Sequence, residues 1–170
     1  MSNHWLRELP AATRFVFQGG VAAQSAAGAL WNIPFPDTAC RAISHGTRAA
    51  LWLGPDEFLL WDSQQSSADT APAFLKLQQD QPCSVVDVSH RQIGLEISGR
   101  FAETILAGAC PLDLSIEHFP FGMCTRTVLA KAEILLWRRE PEIFHLEAWR
   151  SFAPYVTALL AEIASGYPLP

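Results

Sequence analysis

The first half of the chain alternates apolar and polar positions in short runs separated by turn residues. Residues 13–18 alternate with a period of two, which predicts a strand, and the Ala-rich segment 21–30 after Gly19-Gly20 predicts a helix. The turn Gly54-Pro55-Asp56 separates two further apolar runs and predicts a hairpin. The remaining elements predicted here are a weak strand over 39–45, the hairpin strands 49–53 and 57–61, a polar linker over 63–70 and a short helix beginning near Pro72.

The second half, taken to start at Ser84, shows the same periods. Val86 and Val88 alternate with polar residues, and so do the apolar positions within 93–97, which predicts two successive strands. A stripe of apolar residues over 101–106 predicts a helix that ends at Gly108. The elements predicted after it are a loop over 109–123, strands over 125–130, 133–138 and 143–149, and a closing helix over 152–163.

The two predicted hairpins resemble each other. Leu51-Trp52, a Pro-containing turn and 58–61 match Leu136-Trp137, a Pro-containing turn and 144–149, with one residue more in the second turn. A strand and a helix precede each hairpin and a helix follows it, which is the order of a ferredoxin-like split βαβ unit. We therefore predict an α+β protein, one domain over 1–170, with two ferredoxin-like halves, 13–83 and 84–165, packed as one body. Chance similarity of two hairpins is the alternative.

Charge and hydropathy narrow the classes of partner. The formal net charge is −5, which argues against nucleic acid or an anionic membrane as the primary partner. No apolar run approaches the roughly 18 residues of a membrane helix, and residues 1–10 lack the basic and apolar regions of a secretory signal. We expect a cytoplasmic protein without nucleic acid or membrane as partner.

The basic and aromatic residues favour a protein partner. Of the 12 basic residues only Lys76 and Lys131 are lysines, and the others are arginines, which suit fixed ion pairs and contact surfaces. Six tryptophans add more aromatic area than an isolated chain of this size usually needs. Trp149 and Arg150, after the last predicted strand, are either partner contacts or a core Trp beside a solvated Arg.

No local pattern predicts catalysis. Asp87, Ser89 and His90 are the residue types of a hydrolytic triad, but alternation along a strand points His90 away from the other two. The structural interpretation is a polar stripe in which Ser89 and His90 bond to neighbouring backbone.

Metal and phosphate sites are also not predicted. Cys110, His118 and Cys124, with Asp113 nearby, have separations that fit none of the compact ligand pairs of zinc modules. Gly19-Gly20 precedes a helix without the further glycines or the lysine of a phosphate loop. We expect no cofactor and no metal on this chain.

Several segments resemble known families. Residues 84–99 resemble an early motif of the aminomethyltransferase folate-binding family, the family of the glycine-cleavage T-protein. Other segments closely resemble the gamma subunit family of heterotetrameric sarcosine oxidase, and the resemblance runs from about residue 51 to the end of the last helix. These segments are 53–57, 108–114, 119–122, 124–132 and 150–155.

The resemblance implies an accessory, non-catalytic subunit with an aminomethyltransferase-like fold. Its complex would oxidise sarcosine to glycine and hydrogen peroxide, with folate as acceptor of the one-carbon unit. The alpha and beta subunits would carry FAD, FMN and NAD, the delta subunit zinc, and the alpha subunit a tetrahydrofolate site. Residues with a partner-contact or structural role would be Asp87, His90, Arg126, Trp149 and Arg150.

One departure concerns folate chemistry. Aminomethyltransferases carry a Gly-Ile-Leu-Asp-Asp segment after the strand, and this chain reads Ala-Lys-Ala-Glu-Ile-Leu over 130–135. Glu133 is the nearby carboxylate, and its expected role is an ion pair with Lys131 on the same face of a strand. A stand-alone folate-binding or aminomethyltransferase-like protein remains the alternative.

Overall fold

The structure, a computed structural model, describes residues 5–168, and the two ends of the predicted domain 1–170 lie outside the described residues. Within that range it has ten strands and four α-helices, which confirms the α+β class. The strands are β1 Leu6–Glu8, β2 Thr13–Gly19, β3 Ala42–His45, β4 Arg48–Gly54, β5 Glu57–Asp62, β6 Cys83–Asp87, β7 Gln92–Ser98, β8 Cys124–Leu129, β9 Ala132–Glu140 and β10 Ile143–Trp149. The helices are α1 Val21–Trp31, α2 Ser67–Asp80, α3 Ala102–Ala107 and α4 Ala153–Ala164, with a 3-10 turn Arg150–Phe152 before α4.

The first structural unit is Pro10–Ser89. Its antiparallel sheet has the strand order β3-β4-β5-β2-β6, so β4, β5, β2 and β6 form the ferredoxin-like arrangement and β3 extends one edge. One face of the sheet packs against α1 and α2 through a core that includes Phe15, Phe58, Trp31 and Phe74. Successive side chains of a strand point to opposite faces, so every second residue of β2, β4 and β5 supplies this core face.

The second unit consists of the described residues up to Leu9 and those from His90 onward. Its antiparallel sheet has the order β1-β7-β10-β9-β8, which is again the ferredoxin-like order with one added edge strand, β8. α3 and α4 cover one face, and the core there includes Ile105, Leu136, Phe144 and Leu160. The fourth strand of this unit is β1, in which Leu6 pairs with Ile97.

The division between the halves differs from the predicted one. The segment beginning at Ser84 was expected in the second half, but β6 pairs with β2, where Val86 lies opposite Val16. In the second sheet both edges of β7 are occupied, by β1 and β10, whereas in the first sheet β5 pairs with only one edge of β2, and β6 occupies the other. The period of a strand defines its buried face and does not define its neighbour.

One predicted linker is helical. α2 begins at Ser67, within the predicted polar linker 63–70, and Pro72 lies inside the helix. The Ser66 hydroxyl accepts a hydrogen bond from the Ala68 N–H at 3.3 Å, and Asp69 lies in the first turn, so capping starts this helix without apolar residues. No helix among residues 5–168 has both the length and the apolar character needed to cross a membrane.

Candidate functional site

The second unit presents a sheet face that its own helices do not cover, here called the helix-free face. Side chains alternate along β9 and β10, so Leu136 and Phe144 enter the helix-side core while Glu133 and Trp149 lie on the opposite face. Register continues this face into β8, where Val128 pairs with Glu133. The same alternation places Arg126, paired with Leu135, on the helix-free face, where it is exposed.

The aromatic surface, defined by Trp149, Phe152 and Tyr155, lies where β10 leads into α4. Trp149 is 45% exposed, and Phe152 and Tyr155 are both 38% exposed. The Phe152 and Tyr155 rings meet edge to face with centroids 6.4 Å apart. A core role for Trp149, one of the two interpretations from the sequence, is therefore wrong, because nearly half of the side chain is open to solvent.

Local geometry explains why these aromatic rings are exposed and do not enter the core. The predicted closing helix included Phe152, but α4 begins at Ala153 and Phe152 belongs to the preceding 3-10 turn. The helical period that buries Val156 and Leu160 therefore does not extend back to Phe152. Pro154 lies in the first helical turn, where its missing N–H costs little, and it favours a helix start at Ala153 that leaves Phe152 outside α4.

A cleft of about 270 Å³ adjoins the aromatic surface and is lined by Lys131, Glu133, Trp149 and Phe152. The expected ion pair between Lys131 and Glu133 is wrong for the described residues, because the two side chains do not share a strand face. Lys131 lies in the turn after Ala130, whose φ is 51°, and Glu133 lies in β9. Both are exposed, so the cleft has one cationic and one anionic group at its mouth.

Two arginines lie beside Trp149. The Arg91 guanidinium lies over the Trp149 ring at 5.4 Å from its centroid, a cation–π contact, and the Arg150 N–H donates to the Arg91 carbonyl oxygen at 3.0 Å. Both side chains are exposed. Arg91, Lys131 and Arg150 together are called the cationic rim of the aromatic surface. The predicted residues Trp149 and Arg150 therefore belong to one surface, joined by Arg91, which sequence reasoning missed because it is 58 positions from Trp149 in the chain.

Asp87 and His90, also predicted as site residues, lie elsewhere. Asp87 accepts hydrogen bonds from the Ser89 N–H at 2.9 Å and from the Ser89 hydroxyl at 2.6 Å, and Ser89 Oγ accepts from the Arg14 N–H at 2.9 Å. The bonding of Ser89 to neighbouring backbone is therefore confirmed. His90 is exposed in a turn beyond the end of β6, so strand alternation does not apply to it.

A second group of the same residue types, Asp113, Ser115 and His118, occurs in the loop 109–123, where the sequence suggests Asp113 and His118 only as neighbours of the cysteines. His118 Nδ1 lies 2.9 Å from Asp113 Oδ2 and 3.0 Å from Ser115 Oγ. A hydrolytic triad needs the acid and the nucleophile on different ring nitrogens, so this group is no triad. Hydrogen bonds from the Ser115 N–H and hydroxyl, and then the nearby His118, hold the pKa of Asp113 below its ordinary value of 3.8. The spacing Asp-x-Ser signals this turn.

The cysteines considered as metal ligands are separated by burial and contacts. Cys110 is buried and contacts Thr127 Oγ1 at 3.9 Å, and Cys124 is buried in β8, while His118 is exposed and engaged with Asp113. Across residues 5–168 no cluster of three or more His, Cys, Asp or Glu side chains has an arrangement that could hold a metal ion.

Known proteins resemble this chain over most of its length. Residues 19–166 match the sarcosine oxidase gamma subunit family. The sarcosine oxidase subunit gamma of Corynebacterium sp. (strain P-1) is 33% identical over 119 residues, 70% of this chain and 58% of that relative. The chain spans less than two thirds of the length of the curated relatives that it matches.

Two solved structures superpose on this chain over most of its length. A chain of the heterotetrameric sarcosine oxidase from Corynebacterium sp. U-96, in complex with pyrrole 2-carboxylate, superposes with a TM-score of 0.87 at 27% identity, covering 95% of this chain and 83% of that chain. The glycine cleavage system aminomethyltransferase T from Bartonella henselae superposes with a TM-score of 0.64 at 14% identity, covering 91% and 44%. The second likeness is one of fold alone, and it confirms the predicted aminomethyltransferase-like fold.

Proposed function

The chain belongs to the sarcosine oxidase gamma subunit family, and from this premise we propose that it is an accessory, non-catalytic subunit of a heterotetrameric sarcosine oxidase. The complex oxidises sarcosine to glycine, passes the methyl carbon to folate and forms hydrogen peroxide. The observation that carries the proposal is the superposition on a chain of a heterotetrameric sarcosine oxidase over 95% of this chain.

The proposal assigns each cofactor to another subunit. FAD, FMN and NAD belong to the alpha and beta subunits, zinc to the delta subunit and the tetrahydrofolate site to the alpha subunit, and the complex works in the cytoplasm. This chain contributes structure and contact surface. Its residues support this role: the Asp87 carboxylate bonds to Ser89, and Trp149 and Arg150 lie exposed side by side.

Co-expression tests the proposal. The chain carries an affinity tag and is expressed with the other sarcosine oxidase subunits of its own source organism. We expect the tag to retain flavin-bearing partners and sarcosine-dependent peroxide formation, and we expect lower yield of assembled complex when the chain is omitted. A tagged chain that purifies without flavin, while the other subunits assemble and turn over without it, would contradict the proposal.

A tetrahydrofolate titration separates this role from that of an independent folate protein. Six tryptophans give the isolated chain a strong intrinsic emission. Under the accessory role the emission of the isolated chain does not show saturable quenching by tetrahydrofolate. Saturable quenching at a stoichiometry of one would favour the stand-alone function instead.

A further inference from the structure

We propose that the aromatic surface and its cationic rim form the docking site for a carboxylate-bearing segment of another subunit of the sarcosine oxidase complex. The inference rests on the proposed function and adds to it the surface and the chemistry of the partner. Trp149, Phe152 and Tyr155 form the centre of the site, and the cleft of about 270 Å³ beside them receives an apolar side chain of that segment.

The concentration of aromatic area supports the site. Four aromatic side chains count as exposed large hydrophobic groups among residues 5–168, and three of them lie within the seven residues 149–155. Trp, Tyr and Arg are the residue types that carry most binding free energy in protein interfaces, and they do so where they cluster. Trp149, Tyr155, Arg91 and Arg150 place this chemistry on one surface.

Charge identifies the kind of partner. Arg91, Lys131 and Arg150 are exposed around the surface, and Glu133 is the acidic group in the cleft lining, whereas the whole chain has a formal net charge of −5. The sign of this surface is therefore opposite to that of the chain as a whole. A guanidinium binds a carboxylate through two parallel hydrogen bonds, so the segment that fits here carries Asp or Glu side chains.

The same charges disfavour a second copy of this chain as the occupant. A two-fold symmetric dimer through this surface would bring its cationic rim close to the identical rim of the other copy. Like charges facing each other across an interface cost free energy, and two chains of net charge −5 also repel at long range. The occupant is therefore a different chain.

The test uses the co-expressed complex and two variants, Trp149→Ala and Arg150→Glu. We expect each to raise the dissociation constant of the tagged chain for its flavin-bearing partners at least tenfold, measured by interferometry on the purified remainder of the complex. Wild-type affinity should fall as salt rises, and Arg150→Glu should flatten that dependence because one steering charge is reversed.

Matched controls come from α2 in the other unit. Leu75 is 61% exposed and Lys76 is exposed, so Leu75→Ala removes an exposed apolar side chain and Lys76→Glu reverses one charge, both at residues outside the aromatic surface and its cationic rim. We expect both to change the dissociation constant less than twofold. Circular dichroism and melting curves of all four variants should match the wild type, because every substituted side chain is exposed.

The outcomes separate the two levels of inference. If the wild-type chain binds its partners and Trp149→Ala and Arg150→Glu bind equally well, the surface is wrong and the subunit role stands. If the wild-type chain binds no flavin-bearing partner, the subunit role itself fails. If gel filtration shows that the wild type is a dimer and that Trp149→Ala makes it a monomer, the occupant is a second copy and the proposal is overturned.

Discussion

The two units share one strand order and differ in the residues at equivalent positions of their hairpins. In the first unit Trp52 pairs with Phe58, and Gly54 pairs with Glu57 across the turn. In the second unit Arg138 pairs with Phe144, and both hairpins shift register by one residue beside this pair. Equivalent positions therefore differ by 86 in number, and Trp52 of the first unit corresponds to Arg138 of the second.

This correspondence places a charge where the other half has an indole. Arg138 is buried, and its guanidinium lies over the Phe144 ring at 4.5 Å from the centroid. It donates to the Phe119 carbonyl oxygen at 2.8 Å and to Glu103 Oε2 at 2.6 Å. The first unit also has an arginine–carboxylate ion pair, in which Arg48 Nε donates to Asp62 Oδ2 at 2.8 Å. Arg48 also donates to the Trp31 carbonyl oxygen at 2.8 Å, so each half uses one arginine to join its hairpin to a neighbouring segment, from a different position.

The two hairpins differ at their C-terminal ends, where only the second unit has the aromatic surface. β5 ends at Asp62, which corresponds to Ala148, so Trp149 continues β10 by one residue for which β5 has no counterpart. Asp62 and Ala148 are both buried, whereas the additional residue Trp149 is 45% exposed. One extra strand residue, followed by a 3-10 turn, is thus what creates the aromatic surface in the second half alone.

The substitutions with the largest expected effect test whether the two hairpins contribute equally to stability. Phe58 and Phe144 are both at most 1% exposed in equivalent positions. We expect Phe58→Ala and Phe144→Ala each to lower the free energy of unfolding by about 3–5 kcal/mol, measured by urea denaturation. Hydrogen exchange should show the loss of protection in the unit that carries the substitution. A loss below about 1 kcal/mol for either one would break the equivalence.

A second experiment concerns the strand that completes the second unit. Trp5 is 6% exposed in the core of that unit, and its carbonyl oxygen accepts the Ser98 N–H at 2.8 Å. We expect Trp5→Ala to cost about 3 kcal/mol and to increase hydrogen exchange in Gln92–Ser98. Unchanged exchange in that strand, with faster exchange in Cys83–Asp87, would show that β1 stabilises the first unit instead.

A third experiment, with a smaller expected effect, compares the Arg48–Asp62 and Arg138–Glu103 ion pairs. Asp62 is 1% exposed and Glu103 is 44% exposed at its side chain. We expect Asp62→Asn to lower the free energy of unfolding by about 1–3 kcal/mol and Glu103→Gln by less than about 1 kcal/mol, because solvent already screens Glu103. Chemical denaturation at pH 7 measures both. Equal losses would mean that burial does not distinguish the pairs.

The pH dependence of Asp62 has a defined sign. Burial raises the pKa of this carboxyl, but hydrogen bonds from the Gln64 N–H, Arg48 and the Gln65 N–H outweigh it and hold the pKa below the ordinary value of 3.8. A lowered pKa in the folded state contributes stability that is fully present above 3.8 and is lost as pH falls through the folded pKa. Asp62→Asn should therefore flatten the stability curve below pH 4.

The sequence predicts the elements of both hairpins better than their register. Matching Leu51-Trp52 with Leu136-Trp137 is one residue out, because Trp52 faces the helices and Trp137 lies on the helix-free face. Both hairpins shift register at equivalent positions, so the mismatch comes from aligning the shared Leu-Trp pair and not from a difference in strand pairing. The two Pro-containing turns are also equal in length, with two residues each between the last paired positions, which corrects the extra residue predicted for the second.

Partners of single strands were the least predictable feature. β1 has the sequence Leu-Arg-Glu, too short and too polar for a strand signal, and it forms because β7 offers it an edge. The candidate site was predictable in part: Trp149 and Arg150 stand out by residue type, but their exposure depends on where β10 ends. Arg91 could not be found from local sequence, since only pairing of β7 with β10 brings it to Trp149.

The smallest expected effect concerns the exposed carboxylate of the second half, Asp113, which contrasts with buried Asp62. The Ser115 backbone N–H and hydroxyl are the leading causes of its lowered pKa, and the charge of His118 contributes least. We expect Ser115→Ala to raise the pKa of Asp113 towards 3.8 by removing the hydroxyl alone, since the N–H remains. His118→Ala should raise it less, and added salt should reduce that smaller change because both side chains are exposed. NMR titration of the Asp113 carboxyl measures the effect of Ser115→Ala, the effect of His118→Ala and the influence of salt. A larger rise from His118→Ala than from Ser115→Ala would mean that the ion pair, and not the turn, holds this carboxylate.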